Sequence, residues 1–448
     1  MFGLQRCRSR RWKMSAVVAV GALSAASLAA CSSSGGSSAA DNTLTVQVQT
    51  GAGPLLDTFI KIFKEQNPGV TVKTLSVSQT AKTGSNLSVI SSSDAPDVAI
   101  VPTNTQVFSK ITAAHGLISL APVWKADNLY KNAPAGVLAT DSFGGTPYVV
   151  SYDSVLYNIV YYNVNLFKKL HITVPPDHRI PSMAALNSMV QTLNKAGYQG
   201  IGIGPADGYQ SSWMIDSFMN TSAMPEQYQN YLSSWQKSVP VTDPYTSAPF
   251  INALSAIQTL GNKKVFQDGY LADTVAQAEA QFVQQRNGML LDGGFSVPIL
   301  QKDGIKFPFD WMLLPPVPGS NEKNKISLYT GDAMGIPVNA PNKALAEKFL
   351  EVVMSVKAQE AGLADGALPG NSAVPLSQYV QLGPIMESQL ADMKANGNQI
   401  GWTSGVPGGL GQQLTDPMVQ AMLSNQTNPA EIASKVQSEL ATFRNGSS

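Results

Sequence analysis

The sequence predicts an α/β fold, because segments with the period of a strand alternate with segments with the period of a helix. Thr43 to Gln49 is apolar at every second position, which is typical of a half-buried strand. Pro54 then opens a segment with one apolar helical face, and Asn67-Pro68-Gly69 ends it. Val70 to Val77 predicts a second strand. Together these segments predict a parallel strand pair joined by a right-handed crossover.

The same alternation continues to the end of the chain. Apolar or β-branched runs predict further strands, amphipathic runs predict further helices, and no internal repeat of fixed period is visible. The predicted strands are Ala95 to Val101, Val155 to Tyr162 and Met289 to Leu291, and the predicted helices are Ser182 to Lys195 and Ala344 to Met354.

The N-terminus has the order of features of an export signal. Five basic residues precede an apolar stretch of small residues, Ala16 to Ala30, and Leu28-Ala29-Ala30 stands directly before Cys31. This junction resembles the lipobox of bacterial lipoproteins, in which the chain is cut before the cysteine and the cysteine is lipidated. We therefore expect residues 1–30 to be a signal peptide, Cys31 to carry lipid, and residues 31–42 to be a flexible spacer rich in Ser, Gly and Ala.

Composition narrows the function classes. Of 448 residues, 418 follow the predicted signal peptide, which is enough for two lobes with sizeable cores. The two cysteines, Cys7 and Cys31, leave no thiol chemistry in the folded body. Removing the five basic residues of the signal peptide from 30 leaves 25 basic against 30 acidic residues, a net charge of −5. This charge argues against a nucleic-acid partner.

An ordered set of segments resembles the extracellular solute-binding proteins of sugar ABC importers, of the maltodextrin-binding type. Leu170-His171 replaces a glycine that this family usually has, and Phe295 replaces its usual Trp. Each segment alone is weak, whereas their order along most of the chain is specific. The segments are Ala95 to Val98, Tyr161 to Leu170 with Pro175-Pro176, Asn287 to Phe295, Leu314 to Gly319, Gly335 to Val338 with Ala346 to Leu350, and Gly366 to Pro369.

The resemblance implies a two-lobed periplasmic-binding-protein-like fold with a ligand cleft between the lobes and crossing hinge strands. Lobe 1 is expected to comprise residues 43–150 and 315–358, and lobe 2 residues 151–314 and 359–448. The chain is expected to cross near Tyr148 to Asp153, near Leu314 to Pro318, and after the Ala344 helix. Interdomain clefts and strand ends are also where small ligands usually bind in α/β proteins.

The resemblance also implies a function and partners. A lipid-anchored, monomeric binding protein on the extracytoplasmic face of the membrane captures a sugar or oligosaccharide and delivers it to a permease with an associated ATPase. Two alternatives stay open from the sequence: the same fold can bind another solute, such as a polyamine, peptide or polyol phosphate, or the chain can be a surface-anchored glycoside hydrolase.

Sugars present apolar C–H faces and rings of hydroxyls, so a sugar site needs aromatic platforms beside carboxylates and amides. Phe295 stands where the family places a stacking Trp, and Asp292 just before it can bind a hydroxyl or cap the turn. Trp213, in a predicted loop, and Trp402, in the Gly401 to Gly411 loop, are further stacking candidates. Aromatic side chains are more often core residues than ligand platforms.

Polar candidates lie at predicted strand ends and crossings, where side chains face the cleft. Turn capping would explain such residues equally well. They are Gln49, Thr50, Asn104, Tyr152, Asp153 and Asp332.

Nothing in the sequence indicates a catalytic or metal site. The histidines at 115, 171 and 178 lack the spacing of metal ligands, and no Gly-x-Ser-x-Gly elbow is present. The glycine-rich stretch Gly200 to Gly208 lacks the Lys-Ser/Thr ending of a phosphate loop. A glycosidase would need two positioned carboxylates, and a sequence alone does not reveal such a pair. Because the family that the chain resembles is one of binding proteins, we expect no enzymatic activity, and we expect no cofactor or metal.

Overall fold

A computed structural model describes residues 42–49, 54–78, 86–103, 106–134, 137–329, 332–365, 367–375, 377–378, 382–407 and 409–446. The predicted signal peptide, Cys31 and the spacer up to residue 41 lie outside this range. The α-helices are Leu55–Gln66, Asn86–Ile90, Gln106–Ala113, Ala121–Ala126, Leu129–Asn132, Val137–Thr140, Val164–Lys169, Met183–Lys195, Gln210–Ser222, Pro225–Ser233, Ala248–Asn262, Val275–Val283, Ser296–Lys302, Lys343–Met354, Val356–Gly362, Gly383–Asn396, Trp402–Gly405, Gln412–Leu423 and Pro429–Gly446. Short 3₁₀ turns are Tyr270–Ala272 and Leu363–Asp365.

Two small sheets organise the first part of the chain. Strand Thr43–Gln49 pairs in parallel with Thr71–Val77 over seven residues, as the alternation predicted. Beside it, Ala333–Gly335 lies between Ala99–Ile100 and Val149–Ser151 and is antiparallel to both. Residues from the two faces of the second sheet enter different clusters: Ile100 and Val150 pack in one, Ala99 and Val149 in the other. We call the larger of these two clusters, which runs from Leu44 to Ala358, the first core.

A four-stranded sheet organises the second part of the chain. Its strand order is Phe309–Leu313, Ile159–Asn163, Asn287–Asp292, Gln199–Gly202. The last two strands are parallel, and the other neighbours are antiparallel. Both faces of this sheet are covered, so its two central strands, Ile159–Asn163 and Asn287–Asp292, are buried throughout their length.

Alternate residues of strand Ile159–Asn163 face two hydrophobic clusters on opposite sides of the four-stranded sheet. Val160 and Tyr162 face one cluster, which we call the second core, while Ile159 and Tyr161 face another on the opposite side. This is the period-two alternation of a strand buried on both faces.

A third sheet connects the two parts of the chain. Its strand order is Leu368–Pro369, Asp153–Tyr157, Ile326–Tyr329, Asn398–Ile400. The remaining strands, Ser142–Phe143 and Thr146–Pro147, form a short hairpin. Chain segments pass from the two small sheets through this connecting sheet into the four-stranded sheet. The connecting sheet therefore lies where crossing strands were expected.

The segment predicted as one strand, Val155 to Tyr162, is two strands that belong to different sheets. The break falls at Asn158, which has a left-handed backbone (φ 63°) and is fully buried. Its amide nitrogen donates to the carbonyl oxygen of Trp213 at 2.7 Å and to the hydroxyl of Ser327 at 3.1 Å. Asparagine tolerates this backbone region better than most residues, which a strand-period count does not reveal.

The second crossing lies later in the chain than Leu314 to Pro318. Leu314 and Val317 still pack in the second core. The chain then joins the connecting sheet at Ile326–Tyr329 and reaches the first core at Ala333–Gly335. The passage between the two parts therefore falls between Tyr329 and Ala333.

A buried glutamine ties the third crossing to the first. Gln359 donates from its amide nitrogen to the carbonyl oxygens of Tyr152 (2.9 Å) and Val353 (2.8 Å), and its amide oxygen accepts from the backbone nitrogen of Gly370 (2.7 Å). A β-carbon at Gly370 would lie 2.3 Å from the carbonyl oxygen of Ser151. Glycine is therefore required for this close approach of two backbones.

Candidate functional site

A cavity of about 80 Å³, partly open to solvent, lies beside the connecting sheet. Leu55 reaches it from the first core. Met386 belongs to the cluster on the side of the four-stranded sheet that is opposite the second core. Two of the candidates from the sequence, Asp153 and Phe295, both line it. The remaining lining residues are Ser154, Val155, Leu156, Gly294, Asp365, Ala367 and Leu368.

The polar candidates at the crossings contact one another. The backbone nitrogen of Asp332 donates to the Asp153 carboxylate at 2.8 Å, and its carbonyl oxygen accepts from the backbone nitrogen of Tyr152 at 3.1 Å. The Tyr152 ring is buried, with its edge against Phe59 at 6.1 Å. Burial raises the pKa of Tyr152 well above its usual value, and the nearby Asp332 and Asp153 raise it further. The Asp153 carboxylate thus holds two crossing segments together at the cavity wall.

An aromatic group of Tyr157, Tyr209 and Trp213 adjoins Phe295. Trp213 is at its centre, with ring centroids 4.7 Å from Tyr157, 4.8 Å from Tyr209 and 6.4 Å from Phe295. Trp213 does not lie in a loop, as the sequence suggested, but in the first turn of helix Gln210–Ser222. It is 8% exposed, whereas Phe295 and Tyr209 are half-buried. Phe295 is thus the more open of the two aromatic candidates.

A hydrogen-bond network fixes the turn before Phe295. One Asp292 carboxyl oxygen accepts from the backbone nitrogen of Gly293 (2.9 Å) and from the amide nitrogen of Gln210 (3.0 Å). The amide oxygen of Gln210 accepts from the backbone nitrogen of Gly204 (2.6 Å). Asp292 is completely buried and supports the turn through the Gly293 backbone nitrogen. Of the two roles that the sequence left open for Asp292, turn capping and a ligand contact, this is turn capping.

A second buried carboxyl, that of Asp216, contacts the aromatic group through Tyr157. Asp216 accepts from the Tyr157 hydroxyl at 2.7 Å and from the backbone nitrogen of Thr403 at 2.9 Å. Burial raises the pKa of Asp216 to about 6, opposed by the hydrogen bonds from Thr403 and Tyr157. These contacts fix Tyr157 against Trp213 and tie the 402–405 segment to the same helix.

Trp402 has a packing role in this structure. It begins the one-turn helix Trp402–Gly405 and is 0% exposed. Its indole nitrogen donates to the Tyr245 hydroxyl at 2.9 Å, and its ring packs against Tyr245 and Phe250 in the second core. Because no part of the side chain reaches the surface, we assign Trp402 to the core and not to the stacking role expected from the sequence.

The remaining predicted residues lie at the margin of the described chain. Gln49 ends its strand as expected and is half-buried. Thr50 and Asn104 fall outside the described residues, as does Cys31, so their roles remain predictions.

Three residues of the site escaped the sequence analysis. Tyr209 lies four positions before Trp213, so the two rings share one side of a helix start. This spacing could have been recognised if the segment had been assigned as a helix. Tyr157 and Gln210 gave no comparable signal, because their roles depend on partners 59 and 82 residues away in the chain.

The arrangement suits binding. The Phe295 ring lines the same cavity as the carboxylates of Asp153 and Asp365, which can accept hydrogen bonds from a ligand. Within the described residues, no group of three or more His, Cys, Asp or Glu side chains is arranged to hold a metal ion. No helix in that part of the chain is long and apolar enough to span a bilayer.

Comparison with known proteins gives a family match and structural neighbours. The family model described as bacterial extracellular solute-binding protein matches residues 47–360. No curated protein sequence matches the chain at a significant level.

Solved structures share the fold at low sequence identity. A chitin oligosaccharide binding protein has a TM-score of 0.74 at 16% identity, covering 90% of this chain and 100% of its own. The acarbose-binding receptor of Streptomyces glaucescens has a TM-score of 0.70 at 16% identity, covering 90% and 98%. A maltose-bound protein of T. maritima has a TM-score of 0.66 at 18% identity, covering 89% and 99%.

Proposed function

Because the chain belongs to the bacterial extracellular solute-binding proteins, we propose that it captures a sugar or oligosaccharide and delivers it to an ABC-type importer. The observation that carries this proposal is the cavity beside the connecting sheet, where Phe295 offers an aromatic surface and Asp153 a hydrogen-bond acceptor. This pairing matches the two surfaces of a sugar, its C–H face and its hydroxyls.

The ligands of structural neighbours support a carbohydrate. Those proteins bind chitin oligosaccharide, acarbose and maltose. Their shared fold with this chain supports a ligand of the same chemical class, while the size of the ligand depends on loops that differ at such low identity.

Closure of the lobes is the proposed mechanism. We place lobe 1 at residues 43–150 and 332–358. We place lobe 2 at residues 151–329 and 359–448. A ligand that touches both lobes only in the closed form stabilises that form, and the permease with its ATPase recognises it. The proposed hinges are the points where the chain passes from one of these lobes to the other.

The family places the protein outside the cytoplasm. We further propose that it is a monomer anchored through lipid at Cys31 after removal of residues 1–30, with residues 31–42 as spacer. Such an anchor would keep the protein near its importer. We propose no catalytic step, and the family is one of binding proteins.

A thermal-shift screen tests this function. The purified chain is heated with mono- and oligosaccharides, peptides, polyamines and metal ions in turn. A ligand at 100–1,000 times its dissociation constant should stabilise the fold by about 3–4 kcal/mol. A shift confined to one class of sugar supports the proposal. A shift with only peptides or polyamines replaces the ligand class, and turnover of a chromogenic glycoside would replace binding by hydrolysis.

A further inference from the structure

Two carboxyl groups are buried together beneath the turn that carries Phe295. Glu279 is 5% exposed, and Asp292 and Ser296 are 0% exposed. Among the residues that the structure describes, Glu279 Oε1, Asp292 Oδ2 and Ser296 Oγ are buried without a hydrogen-bond partner. Helix Val275–Val283 brings Glu279 to this point by packing against strand Asn287–Asp292. Burying one ionised carboxylate is already costly, and burying two side by side adds their repulsion.

The groups that surround this pair add negative charge or none. Asp303 faces Glu279 from the next helix, and Asp207 faces both carboxyls from the loop after strand Gln199–Gly202. Two tyrosines, Tyr161 and Tyr209, lie near both carboxyls, and Asp416 lies near Tyr209. Burial and this repulsion raise the pKa of Glu279 and of Asp292, while the hydrogen bonds from Gly293 and Gln210 oppose the rise at Asp292.

The pair is connected directly to the candidate site. One oxygen of Asp292 holds the backbone nitrogen of Gly293 at 2.9 Å, two residues before Phe295. The same oxygen accepts from Gln210 at 3.0 Å, which begins the helix that carries Trp213. The Tyr161 hydroxyl donates to the carbonyl oxygen of Gly293 at 2.9 Å. A change of charge at Asp292 therefore acts on the turn and on the aromatic group together.

We propose that Glu279 is a positioning residue, which forms an acid pair with Asp292 that retains a proton at neutral pH. The retained proton keeps the Gly293–Phe295 turn in place, so that ligand capture weakens when alkaline pH removes the proton. The two carboxylates then repel each other within the protein interior, and the repulsion acts on the turn through the Asp292 contact with the Gly293 backbone nitrogen. The effect on capture rests on the proposed sugar site, whereas the acid pair itself does not.

The ligand-free protein tests the pair. The folded state keeps the proton, while the unfolded state releases it above about pH 4, the ordinary range of Asp and Glu. The free energy of unfolding therefore falls as the pH rises from that value through neutral pH, and the fall ends only above the raised folded-state pKa values. Melting temperatures of the full chain are measured from pH 5 to pH 9 for wild type, Glu279→Gln and Asp292→Asn.

The amide variants mimic the protonated acids and cannot ionise. We expect Glu279→Gln to flatten the decline of melting temperature and to exceed wild type in stability at pH 9. Glu226→Gln, an exposed glutamate at the start of helix Pro225–Ser233, is the matched control and should leave the profile unchanged. A Glu279→Gln profile parallel to that of wild type would overturn the proposal. If Glu279→Gln does not fold, the same comparison with Asp292→Asn decides.

The capture arm uses maltotriose as the probe, titrated by calorimetry at pH 6 and pH 9. Wild type should bind about tenfold more weakly at pH 9, which corresponds to 1.4 kcal/mol, and Glu279→Gln should bind equally at both. Equal pH dependence in the two proteins would overturn the positioning role. If neither protein binds maltotriose at pH 6 and the melting profiles still differ, the acid pair stands, and the proposed sugar site is overturned for this probe together with the effect on capture that rests on it.

Discussion

Phe295 combines the exposure and the position expected of a ligand contact. It lines the cavity, is half-buried, and follows a turn fixed by Asp292. Trp213 behind it is nearly buried and supports the aromatic group from within. The family resemblance indicated the place of Phe295 in the sequence, and the structure adds why the side chain is held there.

Substitution of Phe295 should weaken sugar binding without unfolding the protein. Phe295→Ala removes an aromatic surface worth about 1.5–3 kcal/mol when a ligand covers it, so affinity should fall at least tenfold. Phe143→Ala, which truncates a phenylalanine that is 45% exposed on the short hairpin, should leave affinity unchanged. Calorimetric titration of both variants with the sugar found by the screen provides the measurement. Equal affinities in both variants would remove Phe295 from the site.

Gly370 should tolerate no side chain. A β-carbon there meets the backbone oxygen of Ser151 at 2.3 Å, and backbone moves only with its neighbours. Gly370→Ala should lower the free energy of unfolding by about 1–3 kcal/mol. In Gly261→Ala the new carbon would meet only the end of the Leu423 side chain, so the loss should be smaller. Urea denaturation of both variants gives the comparison, and equal losses would contradict the close backbone approach.

The sequence indicated single residues unevenly, for physical reasons. Asp153 and Phe295 were identified because a predicted crossing and a family segment marked them, and the structure brings both to one cavity. Trp402 was chosen on the same kind of resemblance, yet Tyr245 and Phe250 enclose it. Whether an aromatic ring faces a core or a cleft depends on packing between distant segments, which one sequence does not reveal.

At the scale of elements, Asn158 divides an apolar run into two strands of different sheets. Helices were predicted within one residue where a cap marked the start: Ser182 accepts from the backbone nitrogen of Ala185, and helix Met183–Lys195 follows. Strand Val155 to Tyr162 was predicted as one piece, because periodicity does not register a single left-handed residue.

Substitutions at Asn158 separate backbone strain from hydrogen bonding. Asn158→Gly keeps the positive φ but loses the two side-chain hydrogen bonds, so it should lower the free energy of unfolding by about 1–3 kcal/mol. Asn158→Ala loses the same bonds and strains the backbone as well, which should add about 1 kcal/mol or more. Chemical denaturation measures both variants. An alanine variant as stable as the glycine variant would show that backbone strain at this break is unimportant.

At the scale of the whole molecule, the connecting sheet joins the first core to the second core, an arrangement that suits the proposed opening and closing of a cleft. The α/β class and the two-part organisation were predictable from alternation, chain length and the ordered family segments. The later position of the second crossing was not, because the Leu314 to Gly319 segment packs its apolar residues in the second core before the chain turns back.

Small-angle X-ray scattering of the chain with and without its sugar tests the central claim most directly. Capture between lobes predicts that a saturating sugar reduces the radius of gyration, since the ligand favours the closed form. Wild type should show this decrease and Phe295→Ala should need about tenfold more sugar to reach it. A saturating ligand, verified by calorimetry, that leaves the scattering curve unchanged would contradict closure as the mechanism of capture.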